Sequence, residues 1–365
     1  MGLQCGIIGI TNTGKTTLFN CLSSNKAESS NYAFSSNKSN IGIINIPDER
    51  LNILAKLVNT AKIIPATVEI LDIPGLTRGS SKGEGVGNNF LADIRNTDAL
   101  IHVLRCFDDV NLPHIEGSVN PVRDKETVDL ELQIKDLESV EKKIQRLERA
   151  AKIGDKDAKK GLEVLNIYKN HFESFQSART APVSDLDKKY IEDLFLLSNK
   201  PVLYVCNVDE ASAITGNAYV EAVKESVKDE NTGILVIAAG LEAEIAELDD
   251  ENDRKAFLTD MGLGEPGVNK LIMAAYSLLN LQSFFTAGPK EVRAWTIRKG
   301  MTAPQAAGVI HSDLERGFIR AEVMKYDDFV TLGTEHACKE AGKLSIEGKN
   351  YVVGDGDVIH IRFNV

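Results

Sequence analysis

Apolar positions along this chain follow two rhythms. Short, mainly apolar runs, at 5–8, 41–46, 66–73, 99–107, 200–208 and 234–237, have the length of buried strands. Between them, apolar residues recur three and four apart: Leu18, Cys21 and Leu22, then Leu51, Leu54, Ala55 and Val58, with a further helical stretch at 89–95. Strands alternating with one-faced helices predict an α/β fold with a doubly wound sheet. From Thr127 to Ala151 the rhythm changes to that of a long paired helix. There Leu130, Ile134, Leu137, Val140, Ile144, Leu147 and Ala151 step by three or four. A polar turn at 154–157 leads into a second stripe, Leu162, Leu165, Tyr168, Phe172 and Phe175, which predicts an inserted helical coiled-coil hairpin. Beyond Ser283, short β segments at 291–297, 318–325, 351–353 and 357–363 surround one helix near 302–310, a mixed pattern that suits a small appended domain. The expected boundaries are 1–126 with 185–278 for the doubly wound domain, 127–184 for the helical arm and 280–363 for the appended one.

The first strand runs into Gly9-Ile-Thr-Asn-Thr-Gly-Lys-Thr-Thr17, which carries the spacing G-x-x-x-x-G-K-[ST]. Strand, glycine loop and helix in that order make a phosphate cradle: glycines admit backbone N–H groups to the phosphates, and the helix start adds its positive dipole end. Asn12, Thr13, Gly14, Lys15, Thr16 and Thr17 are the expected nucleotide contacts. Lys15 would reach the β- and γ-phosphates, and the Thr16 hydroxyl would ligate Mg²⁺. Asp72-Ile-Pro-Gly75 ends the strand at 66–73; Asp72 is expected on Mg²⁺ and the Gly75 N–H on the γ-phosphate. The polar stretch 28–40 and the Gly/Ser-rich stretch 79–87 read as two switch segments. At the end of the strand 200–208, Asn207-Val208-Asp209-Glu210 stands where P-loop GTPases read the base with N-K-x-D. Val208 replaces the lysine and Glu210 the aspartate, which weakens guanine selectivity. Ala239 falls in the last base-binding loop. His102 lies inside an apolar run and reads as a core histidine satisfied by hydrogen bonds, whereas His114 sits in a polar loop beyond a strand end, where α/β proteins place ligands.

Composition narrows the class. At 43% hydrophobic and 26% charged, the 365 residues describe a globular protein of two or three domains. With no apolar run near 18 residues and no leader pattern at the start, a cytoplasmic protein with no membrane partner is expected. Five cysteines, none in a C-x-x-C pair, read as buried thiols. A net charge of −11 argues against coating nucleic acid with the whole surface. Residues 135–160 depart from that balance, with nine Lys or Arg against six Asp or Glu. A solvated helix face and an RNA-facing arm both account for it.

Together these segments closely resemble the YchF-type Obg-like ATPases over essentially the whole chain. The most specific marks are Asn207–Glu210, the stretch 79–91, Leu241-Glu-Ala-Glu-Ile245 and 310–322, the last similar to a TGS domain, a β-grasp module. The resemblance implies ATP preferred over GTP, slow Mg²⁺-dependent hydrolysis, and binding to the 70S ribosome, mainly its large subunit. With that partner, the locally basic arm, together with the TGS domain, is the expected place of rRNA contact, and the chain is expected to be a monomer. Asn12 matches a potassium-coordinating asparagine of cation-dependent relatives, which makes K⁺ a candidate second cofactor. Three departures stand out. The loop lacks the family's proline, Lys38 reverses a glutamate's charge, and Ser36 stands where a threonine ligates Mg²⁺. Leu76, after Gly75, has no group to orient water; the resemblance points to His114 as the residue that does. A GTPase of the same fold and a nucleotide-gated binding module with negligible turnover are the alternatives.

Overall fold

The structure, a computed structural model, describes residues 3–23, 40–60, 62–75, 87–230, 232–248 and 250–364. Both switch segments fall largely outside these residues, and with them Ser36, Lys38 and Leu76.

In chain order the elements begin with β1 (Gln4–Ile8), α1 (Lys15–Ser23), β2 (Asn40–Asn45), α2 (Glu49–Leu57), β3 (Ile63–Ile64), β4 (Thr67–Asp72), α3 (Gly87–Asn96) and β5 (Ala99–Arg105). The long pair α4 (Pro121–Lys152) and α5 (Lys156–Glu173) follows, then β6 (Val202–Asn207), α6 (Ala218–Ser226), β7 (Gly233–Ile237), α7 (Ala239–Glu247), α8 (Glu251–Asp260) and α9 (Gly267–Leu278). The C-terminal part holds β8 (Leu281–Ala287), β9 (Val292–Arg298), α10 (Ala303–Ile310), α11 (Ser312–Arg316), β10 (Phe318–Met324), α12 (Tyr326–Leu332), α13 (Glu335–Glu340), β11 (Leu344–Glu347) and β12 (Val358–Phe363).

The first sheet runs β2-β4-β1-β5-β6-β7. From β4 through β7 the neighbours pair in parallel, so the strands' carboxyl ends share one edge. All seven residues of β5 and all six of β6 are buried, which is why both read as mainly apolar runs, with His102, Arg105 and Asn207 as buried polar exceptions. The crossover after β1 leads to β2 on one side and the one after β5 leads to β6 on the other, so the switch point where such sheets hold ligands lies between the carboxyl ends of β1 and β5.

The helical pair emerges from this unit, but α4 does not keep one inward face. Val128 and Leu132 are buried in the same core as β5 and β6. Farther along, Val140 packs with Val164, Leu165, Tyr168 and Phe172 of α5, with Ile144 and Leu147 alongside. The expected stripe named Leu130 and Ile134, which are 38% and 37% exposed. The reason is geometric: the lower half of α4 faces a sheet and the upper half faces another helix, so no single 3.5-residue period describes both. Asp136 marks the joint. It is buried and accepts hydrogen bonds from the Leu197 N–H (2.7 Å), the Ser198 N–H (2.8 Å) and the Ser198 hydroxyl (2.7 Å). Burial nonetheless pushes its carboxyl up to about 6.

The second sheet runs β11-β10-β12-β8-β9-β3. The β8–β9 hairpin is antiparallel, α10 follows it, and the last strand β12 inserts parallel beside β8. The expected short strand at 351–353 is a single bridge between Val352 and Thr302. Two compact units result: Glu69–Leu271 with the chain's start forms one, and Ile43–Val68 with Ile272–Val365 forms the other. The expected boundary had left 43–68 with the doubly wound domain. Instead β3 pairs with β9, and Arg50 of α2 bonds Asp355 (2.8 Å), so this stretch condenses with the C-terminal sheet. The arm belongs to the first unit because the root of α4 is part of its core.

Candidate functional site

Five strand ends converge at the carboxyl edge of the first sheet. After β1 the chain turns back through residues 9–14, and α1 starts at Lys15. Gly14 has φ +93°, and a Cβ there would stand 2.3 Å from the Asn207 amide nitrogen, so only glycine lets the loop lie this close to β6. Asn12 also takes a left-handed φ of 61°. The Thr13 hydroxyl, fully buried, donates to the Ile10 carbonyl (3.2 Å) and braces the loop from inside.

Lys15 is 7% exposed and donates to the Ile10 carbonyl. Burial lowers its ammonium to about 8, against the opposing pull of Asp72. A cation held in a dry loop with a neutral acceptor for a partner is poised to take an anion. The Thr16 hydroxyl donates to Asp72 Oδ2 (3.2 Å) across from the end of β4. Burial raises the Asp72 carboxyl, with Lys15 and the Thr16 bond acting the other way. Hydroxyl and carboxylate oxygens side by side are the hard donors that Mg²⁺ selects, so this pair fits the ion. Gly75 follows; a Cβ on it would come within 3.0 Å of the Thr11 methyl and 3.3 Å of Lys15 Nζ, which places its backbone against the loop. Thr17 is exposed on the first turn of α1.

On the far side, Asn207 spends its whole amide on the backbone. It donates to the Thr13 carbonyl (2.9 Å) and accepts from the Ala239 N–H (2.9 Å). One buried side chain thereby joins the phosphate loop to the start of α7. Val208, which holds the position of the base-reading lysine, is 3% exposed and packs in the sheet core. Glu210 is exposed and opens the short turn Glu210–Ser212, which Asp209 caps by accepting from the Ser212 N–H (2.9 Å). His102 lies in β5 and is buried as expected, but its Nε2 takes no hydrogen bond among the described residues; its imidazole is held down to about 3 by burial and stands 5.5 Å from the Tyr204 ring.

His114 is not the open loop residue its polar neighbours suggested. Its side chain is 4% exposed, with Nε2 2.9 Å from Asp124 Oδ2 and Nδ1 accepting from the Glu116 N–H (3.1 Å). The loop that carries it is tied twice to the site. Asn12 donates to the Pro113 carbonyl (3.3 Å), one residue before the histidine. Arg105, fully buried at the end of β5, donates to the carbonyls of Phe107 (3.1 Å) and Leu112 (2.8 Å) and lies over the Phe107 ring. The sequence reading missed Arg105 and Asp124. A lone arginine inside an apolar strand was a signal for the first; nothing local pointed to the second.

The arrangement can grip a polyphosphate between backbone, Lys15 and a metal held by Thr16 and Asp72. Known proteins agree with this. Residues 4–166 match the model described as 50S ribosome-binding GTPase, and residues 281–364 match the model of the YchF GTPase C-terminal domain, described as a protein of unknown function. The ribosome-binding ATPase YchF of Bacillus subtilis is 49% identical over the full length of both chains, and that of Escherichia coli O157:H7 is 47% identical over the full length of both. The solved structure of the Schizosaccharomyces pombe YchF GTPase is 34% identical, covers 99% of this chain and 98% of its own, and superposes with a TM-score of 0.87. A glycine loop with its lysine, the Thr16–Asp72 pair and an Asn-x-x-Glu strand end, in a chain alike from end to end, make this protein a member of the YchF family of P-loop nucleoside triphosphatases.

Proposed function

We propose that this protein is a ribosome-binding ATPase that cleaves ATP to ADP and phosphate. The observation that carries the reading is the convergence of Lys15, the Thr16–Asp72 pair and the Gly75 backbone on one loop. Mg²⁺ is the proposed cofactor; when bound it neutralises charge on the phosphate oxygens. Asn12 through Thr17 hold the triphosphate. Asn207, the backbone at Val208, Glu210 and Ala239 form the wall for the base, and ATP is preferred because Glu210 stands in place of the guanine-reading aspartate. His114 orients the attacking water, since the residue after Gly75 is a leucine. K⁺ activation through Asn12 rests on resemblance alone; turnover in KCl against NaCl at equal ionic strength decides it.

The full-length relatives named as ribosome-binding ATPases support the ribosome as partner. The arm adds to this. Lys142, Arg146 and Arg149 recur at three- and four-residue intervals on α4 and are exposed, while Lys135 and Lys143 are paired with Glu138 and Asp193. We propose rRNA contact through that exposed basic row, and a TGS module in the C-terminal unit, whose hairpin–helix order and parallel final strand suit a β-grasp. No helix of the described residues is long and apolar enough to cross a membrane. A cytoplasmic monomer completes the proposal.

Binding titrations with all four nucleoside triphosphates, followed by single-turnover phosphate release with and without Mg²⁺, test the reading. ATP should bind tightest and release phosphate only with Mg²⁺. Lys15→Ala should lose at least tenfold in ATP affinity, the loss of a charged hydrogen bond of about 1.5–3 kcal/mol. GTP binding tighter than ATP, or a folded Lys15→Ala with wild-type affinity, would overturn it.

A further inference from the structure

We propose that Asp124, in the first turn of α4, is a positioning residue for His114 that chooses which ring nitrogen meets the water. The inference rests on the reading that His114 handles that water. The hydrogen-bond pattern around the ring fixes its tautomer. Nδ1 accepts the Glu116 N–H at 3.1 Å and has the Arg123 guanidinium 3.5 Å away, so two donors face it and it carries no proton. The proton therefore sits on Nε2, which donates to Asp124 Oδ2 at 2.9 Å. Asp124 is itself 1% exposed and cannot turn aside. Its other oxygen accepts from Arg123 Nε (3.1 Å) and from the same guanidinium's terminal nitrogen (2.9 Å), and that terminal nitrogen also donates to the Ser118 carbonyl (2.6 Å).

The carboxylate is mounted on a rigid element. Asn120 caps α4 by accepting from the Arg123 N–H (3.1 Å), and Lys125 pairs with Asp129 (2.9 Å) and Glu230 (2.7 Å) in the next turn. Val128 then enters the sheet core. Next to the histidine in the chain, Pro113 is held by Asn12 of the phosphate loop. A ring whose Nε2–H is held by a buried acid, leaving the unprotonated Nδ1 as the acceptor nitrogen that here takes the Glu116 N–H and faces a long guanidinium contact, is arranged as an oriented base. Water replacing the Glu116 N–H at Nδ1 gives the productive state.

The test compares Asp124→Asn, which keeps the shape but can present either an acceptor or a donor to Nε2, with Asp124→Ala, His114→Ala and the Asp124→Ala/His114→Ala double variant. Full-length proteins with Mg²⁺ and ATP are used throughout, and thermal melting checks folding. Both Asp124 variants should lose roughly 10- to 100-fold in kcat with ATP KM changed less than about threefold. The double variant should turn over no more slowly than His114→Ala, because a positioning residue has nothing left to position. Wild-type kcat in a folded Asp124→Asn beside a slowed His114→Ala overturns the proposal and leaves His114 in place. A further drop in the double variant, or a raised KM with unchanged kcat, also overturns it, by making Asp124 structural or substrate-binding. Unchanged kcat in His114→Ala removes the reading on which it rests. If Asp124→Ala fails to fold, the folded Asp124→Asn and its double with His114→Ala carry the same comparison.

Discussion

At the scale of single residues, the site depends on polar side chains that serve the backbone. Asn207 is the clearest. Replacing it with alanine leaves the Thr13 carbonyl and the Ala239 N–H buried without partners, at about 1–3 kcal/mol for each such group. Asn207→Ala should therefore lower the urea midpoint and weaken ATP about tenfold or more, since the phosphate loop loses its brace to α7. An ATP Kd within twofold of wild type would show that the loop holds its shape unaided. His102 makes a different prediction. Its folded-state value of about 3 lies below the ordinary 6.5, so the unfolded chain binds the proton more readily. The stability this gives is complete above pH 6.5 and is lost as the pH falls from there toward 3, at up to about 1.4 kcal/mol per pH unit. Asp136, raised to about 6, works in the opposite direction between pH 4 and 6, because ionising it costs the folded state. That contribution is common to wild type and His102→Gln. Urea unfolding at pH 7 and pH 5 should then show wild type losing about 1–2 kcal/mol more than the variant; equal losses would refute a neutral buried imidazole.

At the scale of elements, α4 serves two neighbours with two faces. Leu132 is buried against the sheet, so Leu132→Ala should cost about 2–5 kcal/mol. Ile134, two residues on and 37% exposed, should cost less than about 1.5 kcal/mol on the same change. A strict heptad arm would reverse that order, and chemical denaturation of the two variants reads it directly. The same handover explains Asp136. Where the helix leaves the sheet, a short turn must be fastened, and a buried carboxylate takes three donors from it at once.

At the scale of the whole molecule, an acidic chain carries a local basic row on α4. If that row meets RNA, binding releases counterions and weakens with salt. Changing Lys142, Arg146 and Arg149 together to glutamate should leave ATP affinity unchanged and shift ribosome co-sedimentation to lower salt. The slope of log affinity against log salt should fall by about 2–3, as expected for three lost phosphate contacts. Co-sedimentation with an unaltered salt slope would make the row a solvated face. The second unit shows how far chain order and spatial order diverge. Residues 43–68 lie between two parts of the first unit in sequence, yet β3 pairs with β9 more than 200 residues later.

What the sequence determined by itself is local and chemical. Mainly apolar runs mark β1, β4, β5, β6 and β7; in β5 and β6, buried on both faces, few positions are left for polar residues, and those present, His102, Arg105 and Asn207, are themselves buried. The glycine-lysine-threonine spacing marks the loop, because phosphate binding dictates residue types at fixed offsets. Asp72, Asn207 and Ala239 were legible from their offsets to those strands. What only the tertiary structure decided concerns partners that no spacing encodes. The face of α4 that becomes core depends on which element lies beneath it, and 43–68 joins the second unit through long-range pairing. Val208 stands at the position of a base-reading lysine, and its side chain packs in the sheet core. His114 stands in a polar stretch, yet Asp124, ten residues on, takes its ring out of water. Burial is a property of what packs around a residue, and side-chain hydrogen bonds follow from burial; neither is written in the order of residues along the chain.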